Sequence, residues 1–162
     1  MQPALSPTKS PTKSKTLATW IAVIGGPIGL HRFYLHGLRD PWGWVHALLT
    51  FLGAMGAQRV LDMGQDDHVA WLLMPLGGLS IVGAMAAAIF HGLRADEAWN
   101  ARHNPDASAS APTGWPTVLG VVAALLIGAT ALLSVISFSL QRYFEMDRDA
   151  TRAAEVAEPA RK

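Results

Sequence analysis

Apolar residues fall into four long segments separated by short polar stretches, a pattern that predicts a chain crossing a membrane several times. The segments are residues 16–30, 41–57, 69–93 and 115–140. Between Asp67 and Arg94 lie 26 residues without an ionised side chain, and 35 such residues separate Asp106 from Arg142. A bilayer span needs about 20 apolar residues, so both intervals are long enough to cross.

These segments predict an all-α, multi-pass transmembrane helical bundle with about four spans. The first span is short, because 15 residues rise about 22 Å in a helix whereas the hydrocarbon core is about 30 Å thick. Gly25, Gly26 and Pro27 predict a bend in it. The expected units are a disordered basic cytoplasmic tail at 1–15, a helical hairpin at 16–62, a third transmembrane helix at 63–93, a polar loop at 94–114, a fourth transmembrane helix at 115–140 and a solvated C-terminal tail at 141–162.

The distribution of basic residues predicts the orientation. Four spans place both tails and the second loop on one side, where they carry 9 Lys and Arg residues, against 4 on the other side. Because cytoplasmic segments are enriched in basic residues, both termini are expected in the cytoplasm. The many alanines, and the excess of arginine over lysine, are typical of GC-rich coding and favour a bacterial inner membrane.

Composition argues against several classes of function. The chain is 51% hydrophobic and has no cysteine, which excludes a disulfide framework and a cysteine-based zinc site. A net charge of +1 gives no support for nucleic-acid binding. The serines have no histidine and aspartate partners at a recognised catalytic spacing. We therefore expect a protein that is not an enzyme and that has no cofactor and no metal.

The most informative polar stretch is His31-Arg32-Phe33-Tyr34-Leu35, which joins the first two segments and is followed by His36. One interpretation is an interfacial turn, in which the aromatic rings enter lipid and Arg32 reaches a phosphate. A second is a partner or substrate site, since polar residues at membrane depth are costly. A third is metal binding by His31 and His36, although a spacing of five residues suits one helix face poorly. We expect the first.

Small residues predict where helices approach each other closely. Gly120, Ala124 and Gly128 recur every fourth position in the last segment, and Gly25 and Gly29 lie in the first. Such residues let transmembrane helices pack closely. The expected partners are therefore membrane lipids, with self-association through these faces or contact with other membrane proteins as further candidates, and no nucleic acid.

The start of the chain resembles a known family. Lys13-Ser14-Lys15, a glycine-bearing apolar helix, and then Gly29-Leu30-His31-Arg32-Phe33-Tyr34-Leu35 are similar to the two-transmembrane-helix (TM-two) domain family. The resemblance covers about residues 13–62, and two further spans follow. His36 stands where the family motif has glycine, and Gly37 comes one position later. The resemblance implies an integral membrane protein without catalytic residues.

Two functions remain open from the sequence. The expected one is a non-enzymatic interaction or scaffold protein of unknown process. The alternative is a small transporter or channel subunit, in which Pro27 and Pro75 mark broken helices around a polar site. The absence of ionised side chains from both long apolar intervals argues against a transporter or channel subunit.

Overall fold

The computed structural model describes residues 12–105 and 112–157, and all regular structure within these two ranges is helical. This confirms the all-α class. The predicted tail at residues 1–11, part of the predicted polar loop and the last five residues lie outside the described ranges. The elements are α1 (Lys15–Gly25), a 3-10 turn (Gly26–Ile28), α2 (Leu30–His36), α3 (Pro41–Met63), α4 (His68–Leu93), α5 (Asp96–His103) and α6 (Trp115–Ala157).

The first apolar segment folds back on itself instead of continuing as one helix. Helix α1 rises only about 16 Å before the 3-10 turn. The chain then reverses at Gly29, whose φ of +83° is a left-handed conformation that glycine adopts at little cost. Helix α2 returns along α1 until Tyr34 and Leu35 lie beside Ser14 and Lys13. The motif predicted as a turn is therefore a helix, and the reversal lies before it.

Helix α4 runs through the middle of the bundle, antiparallel to each long neighbour. Its Gly77 lies against the backbone of Gly53 in α3, and its Met85 packs against Gly128 in α6. Helix α1 packs beside its second half, where Ala84 contacts Gly26. Alanines from three helices form the core here, because small side chains allow the helix axes to approach closely.

The start of α1 and the end of α6 lie at opposite ends of the bundle. The Lys15 amine binds the carbonyl of Arg94, just beyond the end of α4, whereas Arg142 of α6 lies over Trp71 near the start of α4. The hairpin of α1 and α2 returns to the end of the bundle from which it starts. Helices α3, α4 and α6 then each pass along the bundle once, so the chain finishes at the opposite end. This geometry does not support four spans, nor the shared side for both termini that depended on four spans.

Two helices, α4 and α6, are long and apolar enough to cross a membrane. Only 22% and 17% of their most apolar stretches are buried within the protein. Phe90 is 76% exposed and Leu126 is 67% exposed, as expected of side chains that face lipid rather than a protein core. The structure thus supports the predicted membrane class at the level of two candidate spans.

Two further boundaries differ from those predicted. Helix α6 continues without interruption to Ala157, because the residues after position 140 include no proline or glycine until Pro159. Helix α5 lies inside the predicted polar loop. Asp96 and Glu97 occupy its first turn, where negative charge stabilises the helix dipole.

Candidate functional site

The beginning of the described chain is held by buried polar contacts rather than lying free as a tail. The Lys13 amine donates to the carbonyl of Leu35 (2.5 Å), and the Lys13 amide donates to the side chain of Asn104 (2.7 Å). The Lys13 carbonyl accepts from the indole N–H of Trp99 (2.9 Å) and from Asn104 (3.1 Å). We call residues 13–15 together with Leu35, Trp99 and Asn104 the N-terminal clasp.

Lys15 closes the clasp against the end of α4. Its side chain is only 4% exposed, and its amine donates to the carbonyl of Arg94 (2.8 Å) and to the carboxylate of Asp96. Thr113 also donates to Asp96, from its amide (2.9 Å) and its hydroxyl (2.5 Å). The Lys15 hydrogen bond, followed by those from Thr113, lowers the pKa of Asp96 to about 2. The carboxylate therefore stays ionised and the clasp stays closed at neutral pH.

Trp99 was not predicted as a core residue, because its surroundings in the sequence are polar. It is fully buried in a cluster with Ala18 and Leu35. The ring of His103 lies 4.3 Å from the indole. Burial, followed by the positive charges of Lys13 and Arg102, lowers the pKa of His103 to about 4. This imidazole is therefore neutral at physiological pH and packs on the indole as an uncharged ring.

The tip of the hairpin ends in a polar cluster between α3 and α4. The carbonyl of Pro27 accepts from the hydroxyls of Thr50 (2.5 Å) and Ser80 (2.8 Å). Nδ1 of His46 lies 2.9 Å from the Ser80 oxygen. The Ser80 oxygen also lies 3.2 Å from the His46 carbonyl, so its one hydrogen has two carbonyl acceptors, and the His46 tautomer that is protonated on Nδ1 can donate to the Ser80 oxygen. These polar groups satisfy one another.

Two neighbouring histidines are not satisfied in this way. The ring of His31 lies 5.3 Å from that of His46 and 6.1 Å from that of His91. His31 is 1% exposed, and its Nδ1 is buried without a hydrogen-bond partner, as is Nε2 of His91. Within residues 12–105 and 112–157, no group of three or more His, Asp or Glu side chains has an arrangement that could hold a metal ion.

The other residues of the predicted turn motif point mainly into the protein. Arg32 binds Asp40 with two hydrogen bonds (2.7 and 3.2 Å). The Tyr34 hydroxyl accepts from the Ser14 amide (3.0 Å), and Leu35 is 4% exposed. Phe33 is half-buried against Gly43. These side chains join α1, α2 and α3 to one another, and anchoring of this run in lipid stays a prediction.

The same helical corner occurs twice in the chain, 27 positions apart. Its members are Arg32, Gly37, Asp40 and Trp44 at the first corner, and Arg59, Gly64, Asp67 and Trp71 at the second. Each arginine binds the aspartate twice, at 2.7 and 3.2 Å in the first corner and at 2.5 and 3.1 Å in the second. Each aspartate caps the next helix, and each indole N–H donates to the carbonyl six residues earlier. Each glycine has a positive φ, +82° and +92°.

This duplication defines both ends of α3. The arginine hydrogen bond lowers the pKa of Asp40 and likewise that of Asp67, so both caps are ionised. Glycine is required at each corner because its backbone conformation, with positive φ and ψ near 180°, is almost closed to other residues. The pattern Arg-x4-Gly-x2-Asp-x3-Trp is present twice in the sequence, so the equal spacing of these four residues is the signal that predicts the corner.

The small residues predicted for helix packing all lie at contacts within the chain. A side chain at Gly25 would overlap Leu30, and one at Gly29 would overlap the backbone of Gly43. Gly120 packs against Thr19 and Trp20, Ala124 is fully buried, and Gly128 packs against Met85. This ridge of α6 is therefore covered by α1 and α4 and is not available for self-association in this arrangement.

Comparison with protein-family models, with curated proteins and with solved structures gives no match. The class of the protein therefore follows from its geometry alone. It is an all-α protein with two helices able to span a membrane and a polar-tipped hairpin packed against them. The TM-two resemblance stays a prediction.

Proposed function

We propose that this chain is an integral membrane protein of the TM-two type that serves as a non-enzymatic interaction or scaffold protein in a bacterial inner membrane. In this proposal the α1–α2 hairpin enters the membrane and returns to the side from which it came. Helices α3, α4 and α6 cross. The N-terminal and C-terminal ends then lie on opposite sides, which replaces the four-span arrangement.

The repeated corner supports a crossing by α3, which is less apolar than its neighbours. The 23 residues of α3 rise about 34 Å, close to the roughly 30 Å hydrocarbon core. Trp44 lies near the start of α3 and Trp71 near its end, each with its N–H bonded to a backbone carbonyl of the corner, and indole rings are enriched at headgroup level. The two corners thus suit the two interfaces of one membrane.

The closed polar cluster at the hairpin tip is the observation that favours a scaffold over a transporter. Thr50, Ser80 and His46 bond to one another or to Pro27. Ser80 is 1% exposed, and about one turn earlier in α4 the backbone of Gly77 packs against that of Gly53. A substrate would have to displace these bonds, each of which is costly to leave unmade inside a bilayer.

Reconstitution tests this proposal directly. The purified full chain in proteoliposomes should resist alkaline carbonate extraction and should leave proton and K⁺ permeability equal to that of protein-free vesicles. Release of the chain by carbonate would contradict membrane integration. Saturable flux above the control would contradict the scaffold function.

A small transporter or channel subunit is the second candidate, and one specific observation favours it. His31 and His91 each carry a buried ring nitrogen without a partner beside the hairpin. Ionisable residues at membrane depth commonly mark ion or proton pathways, often next to broken helices. In this case proton flux would appear in proteoliposomes and would be lost in His31→Asn, whereas the exposed-ring variant His68→Asn would retain it.

A further inference from the structure

Two cavities lie about one helical turn apart along the contact between α4 and α6, and we call them together the α4–α6 groove, with a charged end and an apolar end. The charged end has a volume of about 350 Å³ and is lined by Trp71 and by three arginines, Arg142, Arg148 and Arg152. The apolar end, about 400 Å³, is lined among others by Pro75, Ile81 and Phe138. Both volumes are within the range of ligand pockets. Two neighbouring cavities, one charged and one apolar, suit an amphiphile.

Arg142 lies where the two ends meet. Its guanidinium carbon is 4.6 Å from the Trp71 ring and 5.3 Å from the Phe138 ring. The side chain is 12% exposed and one terminal nitrogen binds Glu145 (2.5 Å), but its Nε is buried without a partner. A buried donor without an acceptor is costly. An oxygen from a molecule in the groove would remove that cost.

The position of the groove indicates a lipid, an argument that rests on the proposed function. Trp71 belongs to the second corner, at the proposed interface, so the charged end lies at headgroup level. The apolar end extends from there along the lipid-facing seam. A phospholipid would place its phosphate among the arginines and one acyl chain between Pro75 and Phe138.

The charges in the groove favour one headgroup. Three carboxylates, those of Asp66, Glu145 and Asp149, also line the charged end, so a headgroup there meets as many carboxylates as arginines. Carboxylates disfavour a purely anionic headgroup and accept hydrogen bonds from an ammonium group. Choline has no such donor. It would need an aromatic face, but His68 stacks at 4.4 Å and Arg142 at 4.6 Å on the Trp71 ring.

We propose that the α4–α6 seam is a binding site for phosphatidylethanolamine. The phosphate is bound by Arg148 and Arg152 with Arg142 behind it, and the primary amine is bound by Asp66 and Asp149. The Trp71 carbonyl is a further acceptor, because Pro75, one turn later in α4, has no N–H to donate to it.

Native mass spectrometry of the full chain in detergent tests this site. Phosphatidylethanolamine, phosphatidylcholine and phosphatidylglycerol with identical acyl chains are supplied together at equal concentration. We expect phosphatidylethanolamine to be retained preferentially. Retention should fall by more than about tenfold in Arg148→Ala/Arg152→Ala, because two charge-assisted hydrogen bonds to the phosphate are lost. The matched control Arg39→Ala/Arg102→Ala removes two exposed arginines from the other end of the bundle and should retain the lipid.

Three results would overturn the site. They are equal retention of the three lipids, undiminished retention in the Arg148/Arg152 variant, and displacement by excess glycerophosphoethanolamine, which has no acyl chains. Ser134→Phe fills the apolar end without touching an arginine and should also reduce retention, so a folding defect in the arginine variant leaves the test intact. A chain absent from the membrane fraction would refute the proposed function. A chain that integrates but shows no headgroup preference would refute only the lipid site.

Discussion

Replacing Trp99 with alanine should open the N-terminal clasp and destabilise the hairpin. The indole is fully buried, packs with Ala18 and Leu35, and donates to the Lys13 carbonyl. Truncating a buried tryptophan to alanine costs about 3–5 kcal/mol through lost burial and the cavity left behind. The lost hydrogen bond adds little, because Asn104 still donates to the same carbonyl.

Two further variants separate the parts of this effect. Trp99→Phe keeps an aromatic ring in the cluster and loses the N–H, so it should cost about 1–2 kcal/mol. Trp115→Ala removes an indole that is 78% exposed at the start of α6, so it should change the free energy of unfolding by less than about 0.5 kcal/mol.

Unfolding by sodium dodecyl sulfate in mixed micelles, followed by circular dichroism, measures all three variants. The expected order of destabilisation is Trp99→Ala, then Trp99→Phe, then Trp115→Ala. If Trp99→Ala were no more destabilising than Trp115→Ala, the indole would not be buried against the hairpin and the clasp would be refuted.

Three other predictions concern the reversal, the clasp and the corners. Gly29→Ala should lower stability by about 2–4 kcal/mol in the same assay, because it strains a positive φ and overlaps Gly43; an unchanged midpoint would contradict the reversal. The wild type should lose stability as pH falls from about 3.8 toward 2, because the pKa of Asp96 is lowered to about 2 in the folded state and the unfolded chain takes up the proton first. Asp96→Asn should remove that part of the pH dependence, and an identical pH profile would argue against the Lys15 contact. Asp40→Ala and Asp67→Ala should each cost about 1–2 kcal/mol through a lost cap and arginine partner, whereas a large effect at only one position would show that the corners are not equivalent.

Helices α4 and α6 were predictable from the sequence because a soluble domain of this size rarely contains such long intervals without charge. The apolar segment at residues 69–93 lies within α4 (His68–Leu93), and the segment that starts at residue 115 coincides with the start of α6. Hydropathy reports how apolar a segment is but not whether it crosses a membrane or turns back. The first segment was therefore predicted as a span, although Gly29 reverses it.

The candidate site was harder to predict, because it depends on contacts between distant parts of the chain. His31 stood out as a polar residue between apolar segments, but the histidines beside it, His46 and His91, lie on α3 and α4. Arg32 is different, since it binds Asp40 only eight positions later. Trp99 and Asn104 belong to a polar stretch, and only the return of α2 to the start of α1 buries them. The corner repeat was the exception, since its spacing is present in the sequence.

In the proposed topology, the returning hairpin leaves the two ends of the chain on opposite sides of the membrane. The chain has no cysteine, so single cysteines can be introduced at Thr12 and Ala150, with Ala101 and Gln65 as controls for the two ends. Labelling with a membrane-impermeant maleimide in right-side-out and inverted vesicles should modify residues 12 and 101 from one side, and residues 65 and 150 from the other. Modification of residues 12 and 150 from the same side would contradict the returning hairpin and the odd number of crossings.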